Sequence, residues 1–212
     1  MINPVVAVSL RISRFLDQRR DKRICGMSLA RFVPSRYSKT HGATGSQSVP
    51  YRGLEEIFAN IGSVSKGSLI DIGCGKGRVL AYLMSTGADI SLTCVEIDPE
   101  IADTARKWSE GYPQIRVITG NAFELDYNEY TMLFMYRPMV ADTFKEFIGM
   151  LEETLTHKVT LYYYADSESG YYLNDRRNWH LVSRHEIYKV HGLYIHREPQ
   201  RYSIWTYDPV SH

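Results

Sequence analysis

Ser68-Leu69-Ile70-Asp71-Ile72-Gly73-Cys74-Gly75-Lys76-Gly77 opens the segment that decides how this chain folds. Ser68 to Ile72 is a short β-favouring run that enters a glycine turn directly. Arg78-Val79-Leu80-Ala81-Tyr82-Leu83-Met84 continues as a helical pattern, with Gly87 where a C-terminal cap belongs. A second apolar run, Ser91-Leu92-Thr93-Cys94-Val95, ends on Glu96. Strand, glycine turn, helix and strand make the first half of a doubly wound α/β fold, whose ligands lie where strands end and helices begin. Glycines permit so tight a turn and let a ligand rest on bare backbone. Helix N-terminal amides attract an anionic group, and Glu96 lies at the distance from which an acid reaches ribose hydroxyls. The stretch predicts a nucleoside site.

Two common fingerprints are missing. A dinucleotide G-x-G-x-x-G needs glycine at position 78, which is Arg, and the Gly-Lys-Ser/Thr of a phosphate loop is absent. What stands, Asp71 to Gly77, resembles the first motif of the class I S-adenosylmethionine (SAM)-dependent methyltransferases. Val95-Glu96-Ile97-Asp98 resembles that family's second strand end, and Gly120-Asn121-Ala122-Phe123 its adenine-contacting segment. The three motifs occur in family order.

The resemblance implies SAM as cofactor and a Rossmann-like, seven-stranded sheet with helices on both faces and an antiparallel last strand. It implies Asp71 near the SAM amino group, and Gly73, Gly75 and Gly77 under the methionine and ribose parts with Cys74 among them. Glu96, with Ile97 beside it, falls on the ribose hydroxyls; Asn121, Ala122 and Phe123 fall at the adenine, and Tyr51 is an aromatic directed toward SAM. The implied activity is methyl transfer to an unidentified acceptor, a small molecule or a protein. The same fold also fits an aminopropyl transferase-like enzyme or a non-catalytic SAM-binding regulatory protein.

Acceptor chemistry in this family lies at the end of strand four, here Thr131 to Tyr136 followed by Arg137-Pro138-Met139. Family members that methylate amide or base nitrogens often carry Asn/Asp-Pro-Pro-aromatic there and accept from the amine. Arg is donor-only and cannot do so. Tyr136 and Arg137 are the candidates on the acceptor side, and no catalytic base is identified. Arg137 either binds an anionic group of the acceptor or pairs with an internal carboxylate such as Asp166 or Glu168.

The 212 residues suit one α/β domain, residues 51–212, preceded by a helical extension with a possible lid loop, residues 1–50. A net charge of +1 gives no global electrostatic case for nucleic acid or an anionic membrane. Cys25, Cys74 and Cys94 have neither metal nor redox spacing and read as reduced thiols of a cytoplasmic protein. No apolar run is long enough to span a bilayer. His185-Glu186 with His191 is no zinc motif: position 189 is Lys, and on a strand the two histidines stand about 20 Å apart. No metal is expected, and G-x-S-x-G is absent.

In chain order, Val5, Val8, Ile12, Phe15 and Leu16 recur at helical spacing and predict an amphipathic helix over the domain. Arg11, Arg14, Arg19, Arg20, Lys22 and Arg23 against Asp17 and Asp21 give a local balance of 6 − 2 = +4. They read as the solvated face, with an RNA or membrane-surface contact as the alternative. Tyr37 to Pro50 reads as a loop, and Leu54 to Ile61 as a helix stopping at Gly62. Asp98-Pro99-Glu100 caps a helix running to about Glu110. Ile115–Thr119 is strand three, Phe144 to Leu155 a helix and Lys158–Ala165 strand five. His180–Tyr188 and Arg201–Tyr207 complete the sheet.

Overall fold

Gly73 and Cys74 both donate their amides to the carbonyl of Val95, at 2.9 and 3.1 Å, and so close the glycine turn onto the neighbouring strand. Around that closure the computed structural model describes residues 3–59, 61 and 66–209. Strands β1 (Gly67–Ile72), β2 (Ile90–Glu96), β3 (Ile115–Thr119), β4 (Met132–Tyr136) and β5 (Val159–Tyr164) are joined through helices α4 (Arg78–Thr86), α5 (Pro99–Ser109) and α6 (Ala141–Thr154). With β6 (Trp179–Ile187) and β9 (Gln200–Tyr207) they form one sheet in the order β3-β2-β1-β4-β5-β9-β6. The first five strands are parallel, and β9 runs antiparallel to both β5 and β6. Strand order reverses between β1 and β4, which opens a crevice at their C-terminal ends.

The central strands read as unbroken apolar runs because both faces are covered. Ile70, Leu133, Leu161 and Tyr163 pack with Phe144, Phe147, Ile148 and Leu151 of α6. Leu69, Phe134, Tyr162 and Tyr164 pack on the other face with α4 and with Leu54 and Ile57 of α3 (Tyr51–Ile57). α4 ends on Gly87 at φ 73°, and the Asp98 side chain caps α5 by accepting from the Glu100 amide at 3.0 Å.

The N-terminal helix α1 (Pro4–Cys25) differs from its sequence reading. Its inward face is Val6, Ser9, Leu10, Ser13, Asp17, Asp21 and Cys25, while Val5, Val8, Ile12, Phe15 and Leu16 point to solvent. The reason is Arg78, the first residue of α4, which is buried and needs the carboxylates of Asp17 and Asp21. A buried guanidinium left unpaired costs several kcal/mol, and only the Asp17–Asp21 side of the helix brings carboxylates to it.

Other boundaries shift as well. α3 starts directly after Pro50 and ends at Ile57, earlier than expected, and the expected stop at Gly62 lies outside the described residues. The loop before it holds a one-turn helix, α2 (Ser38–His41), and is tied down by bridges between Val33 and Ser46 and between Ala43 and Met139. A small hairpin of β7 (Lys189–Val190) and β8 (Leu193–Tyr194), not anticipated, docks on α1 through a 2.6 Å bond from the Tyr194 amide to Ser9 Oγ.

Candidate functional site

The ends of β1, β2 and β4 surround a cavity of about 320 Å³, within the size range of small-molecule sites. Of the residues expected at the cofactor, Asp71, Gly73, Cys74, Gly75, Glu96, Ile97, Asn121, Ala122 and Phe123 line it. Tyr136 and Arg137 border it from β4.

Asp71 is buried, and one of its carboxylate oxygens, Oδ2, has no hydrogen-bond partner. Burial raises its pKa well above the ordinary carboxylate value, and the charge of Glu96 adds to the rise. An orphaned acceptor of this kind asks for a donor from a ligand, since leaving it unmet costs about 1–3 kcal/mol. Glu96 is differently held. Its Oε2 accepts from the Gly75 amide at 2.9 Å and its Oε1 from the Asp98 amide at 3.0 Å. Burial pushes the Glu96 pKa up against those amides. Each oxygen keeps a second lone pair for a ligand hydroxyl.

The glycines serve the chain's own close approaches as well as any ligand. Gly75 has φ 56°, and a Cβ there would overlap Ser46 Oγ, which the 43–46 segment lays over the turn. Lys76 Nζ holds that hydroxyl at 3.1 Å; burial and the charge of Arg78 lower its pKa to about 8. Gly77 does not line the cavity. At φ 79° it heads α4, and its bare face admits Ala105 and Trp108 of α5.

Tyr51 is likewise absent from the cavity wall. It is buried beneath α1, with the guanidinium groups of Arg20 and Arg78 at 4.5 and 5.2 Å from its ring centre. The expectation that it points toward the cofactor does not hold in this geometry, because α1 and Arg78 claim the ring first.

On the acceptor side Arg137 pairs with Glu168, the second alternative read from the sequence. Its backbone stands at φ 37°, a strained value for a non-glycine residue. The corner is held by Thr44, whose hydroxyl donates to the Arg137 carbonyl at 2.7 Å and whose amide donates to the Pro138 carbonyl at 2.9 Å. Thr44, Gly45, Ser46 and His41 line the same cavity. Sequence reading found only a possible lid here, since contacts across some 93 positions leave no local signal. Among the described residues no group of three or more His, Cys, Asp or Glu could hold a metal ion.

Residues 69–155 match the family model described as a methyltransferase domain. No curated protein sequence matches the chain. Among solved structures it is similar to an RNA methyltransferase of Salinibacter ruber in complex with S-adenosylhomocysteine, at 17% identity and TM-score 0.55. That match covers 78% of this chain and 95% of the other. The tRNA methyltransferase TrmK of B. subtilis matches at 15% identity and TM-score 0.55, over 74% of this chain and 64% of that one. TrmK of M. capricolum with S-adenosylhomocysteine matches at 14% identity and TM-score 0.53, over 76% and 69%.

Proposed function

We propose that the chain is a class I SAM-dependent methyltransferase, that the β1–β2–β4 cavity holds SAM and that residues 136–139 border the acceptor. The observation that carries this is Asp71: a buried carboxylate with an unmet oxygen, beside Glu96 and the glycine turn. SAM fits that chemistry, offering an ammonium for Asp71 and ribose hydroxyls for Glu96. Gly73, Cys74 and Gly75 would lie along it, with Ile97 near the ribose and Asn121, Ala122 and Phe123 at the adenine.

When bound, SAM supplies a methyl group already activated on a sulfonium. The residues therefore act by holding and aligning. Asp71 and Glu96 fix the two ends of the amino acid–ribose portion, and Ser46 closes over Gly75 to keep water out. Tyr136 and Arg137 form the acceptor wall, with Arg137 strained and steadied by Thr44. A general base is required only for an acceptor that arrives protonated. Residues 51–212 make up the methyltransferase domain and residues 1–50 its helical extension and lid. Three free cysteines support a cytoplasmic location. Among the described residues no helix is long and apolar enough to cross a membrane.

The test uses methyl-labelled SAM with RNA, protein and small-molecule fractions of a cell extract. Label transferred to one fraction, and lost with Asp71→Asn, is the expected result. Binding of S-adenosylhomocysteine with no transfer to any fraction would leave a SAM-binding regulatory protein instead. A thermal shift with NAD and none with S-adenosylhomocysteine would overturn the cofactor.

A further inference from the structure

Val5, Val8, Ile12, Phe15 and Leu16 of α1 are between 42 and 66% exposed, while Ser9, Ser13, Asp17 and Asp21 of the same helix are buried. At 3.6 residues per turn the five apolar positions form one stripe about 100° wide. Arg19, Lys22 and Arg23 continue that side toward the C-terminus, and Arg11 flanks it, all exposed. The only acids of the helix, Asp17 and Asp21, are turned inward on Arg78. The outward face therefore lacks the two acids in the +4 balance of the sequence and is basic without internal compensation. Beside it, Val5, Val8 and Ile12 share a shallow groove with Lys189, Leu193 and Tyr194 of the β7–β8 hairpin.

We propose that this face of α1 is a docking surface for an anionic lipid bilayer. An apolar stripe bordered by Lys and Arg on a helix lying along a protein surface has the two properties such an interface needs. Aliphatic and aromatic side chains enter the headgroup–acyl boundary, and basic side chains meet anionic headgroups. The charge argues against the other occupants. A second copy would set two uncompensated basic faces against each other. A nucleic acid would satisfy the basic residues and leave Val5, Val8 and Ile12 against water and phosphate. A bilayer with anionic headgroups satisfies both kinds of residue at once.

The experiment is flotation of the full chain with vesicles of phosphatidylcholine alone and of phosphatidylcholine mixed with phosphatidylglycerol. Binding to the mixed vesicles, weakening with added salt, is expected. Arg19→Glu and Arg23→Glu should each lower it by roughly fivefold or more, and Phe15→Asp by about tenfold. All three positions are exposed, so unchanged circular dichroism and unchanged affinity for S-adenosylhomocysteine should accompany the loss. Three kinds of result overturn the proposal. One is absence of binding to the mixed vesicles at low salt, or binding untouched by Phe15→Asp. Another is a wild-type dimer in sedimentation velocity that Phe15→Asp dissociates, which would give the face to a second copy. The third is tight RNA binding that depends on Arg19 and Arg23 but not on Phe15, with no vesicle binding.

Discussion

Arg78 donates from Nε and Nη2 to the two carboxylate oxygens of Asp21, at 2.9 and 2.6 Å, across 57 positions of sequence. Its Nη1 donates to the Val49 carbonyl at 3.2 Å, and Asp21 also accepts from the Leu29 amide at 2.9 Å. One guanidinium thus joins the glycine-turn helix, the N-terminal helix and the segment that leads into α3. Arg78→Met should destabilise the protein by about 3–5 kcal/mol, because Asp21 is left buried and uncompensated. The double variant Arg78→Met with Asp21→Leu should recover a large part of that loss. Urea unfolding of the four proteins measures the coupling, and additive single losses would deny it.

Glu96 has a structural duty beside the ligand duty. Since both of its oxygens accept backbone amides, Glu96→Ala should cost the ligand-free protein about 1.5–3 kcal/mol per bond lost. The two amide contacts are what make this carboxylate matter to the apo fold as well as to the ligand. Calorimetry should also show weaker S-adenosylhomocysteine binding. Unaltered affinity in a folded Glu96→Ala protein would remove the ribose contact from the proposal.

Gly75→Ala introduces two faults together. A side chain at φ 56° carries left-handed strain of about 1–2 kcal/mol, and the new Cβ runs into Ser46 Oγ. The expected outcome is at least tenfold weaker S-adenosylhomocysteine binding. Adding Ser46→Gly removes the overlap but keeps the strain, so affinity should return only in part. Complete return would mean that strain at Gly75 contributes nothing.

His196 is buried against Tyr164, whose hydroxyl lies 2.7 Å from its Nε2. Burial lowers its pKa from 6.5 to about 4. The unfolded chain binds a proton there first, so stability is full above pH 6.5 and falls as pH drops toward 4. The loss amounts to roughly 3 kcal/mol at most. Asp17 is raised from 3.8 to about 6, by burial above all, and contributes with the opposite sign in an overlapping range. The check is therefore a difference: the stability of wild type minus that of His196→Gln should fall between pH 6.5 and 4. A flat difference would show that His196 does not titrate as the burial implies.

Much of the site was legible because its parts are contiguous. Asp71 to Gly77 is strand end, turn and helix start in one run, and Asp98-Pro99-Glu100 states its own cap. Glu96 and Asn121 follow at strand ends whose positions the apolar runs mark. The central strands β1, β2, β4 and β5 were readable for the same reason, since continuous apolar runs imply cover on both faces. The β7–β8 hairpin was not readable, being two residues per strand and stabilised by α1 rather than by its own pattern.

Tertiary structure alone decided the rest. Periodicity in α1 separates an apolar from a polar stripe, but which stripe turns inward depends on the buried charge it meets. Arg78 settled that in favour of Asp17 and Asp21. The same guanidinium, with Arg20, holds Tyr51 away from the cavity. Gly77 faces α5 because Trp108 needs the space, and its indole Nε1 donates to the Lys76 carbonyl at 2.9 Å. Arg137 meets Glu168 across 31 positions. Local sequence determines where backbone can turn and where a carboxylate stands at a strand end. Which long-range partner a buried charge finds is determined only when the chain closes, since the partner stands tens of residues away and leaves no local pattern.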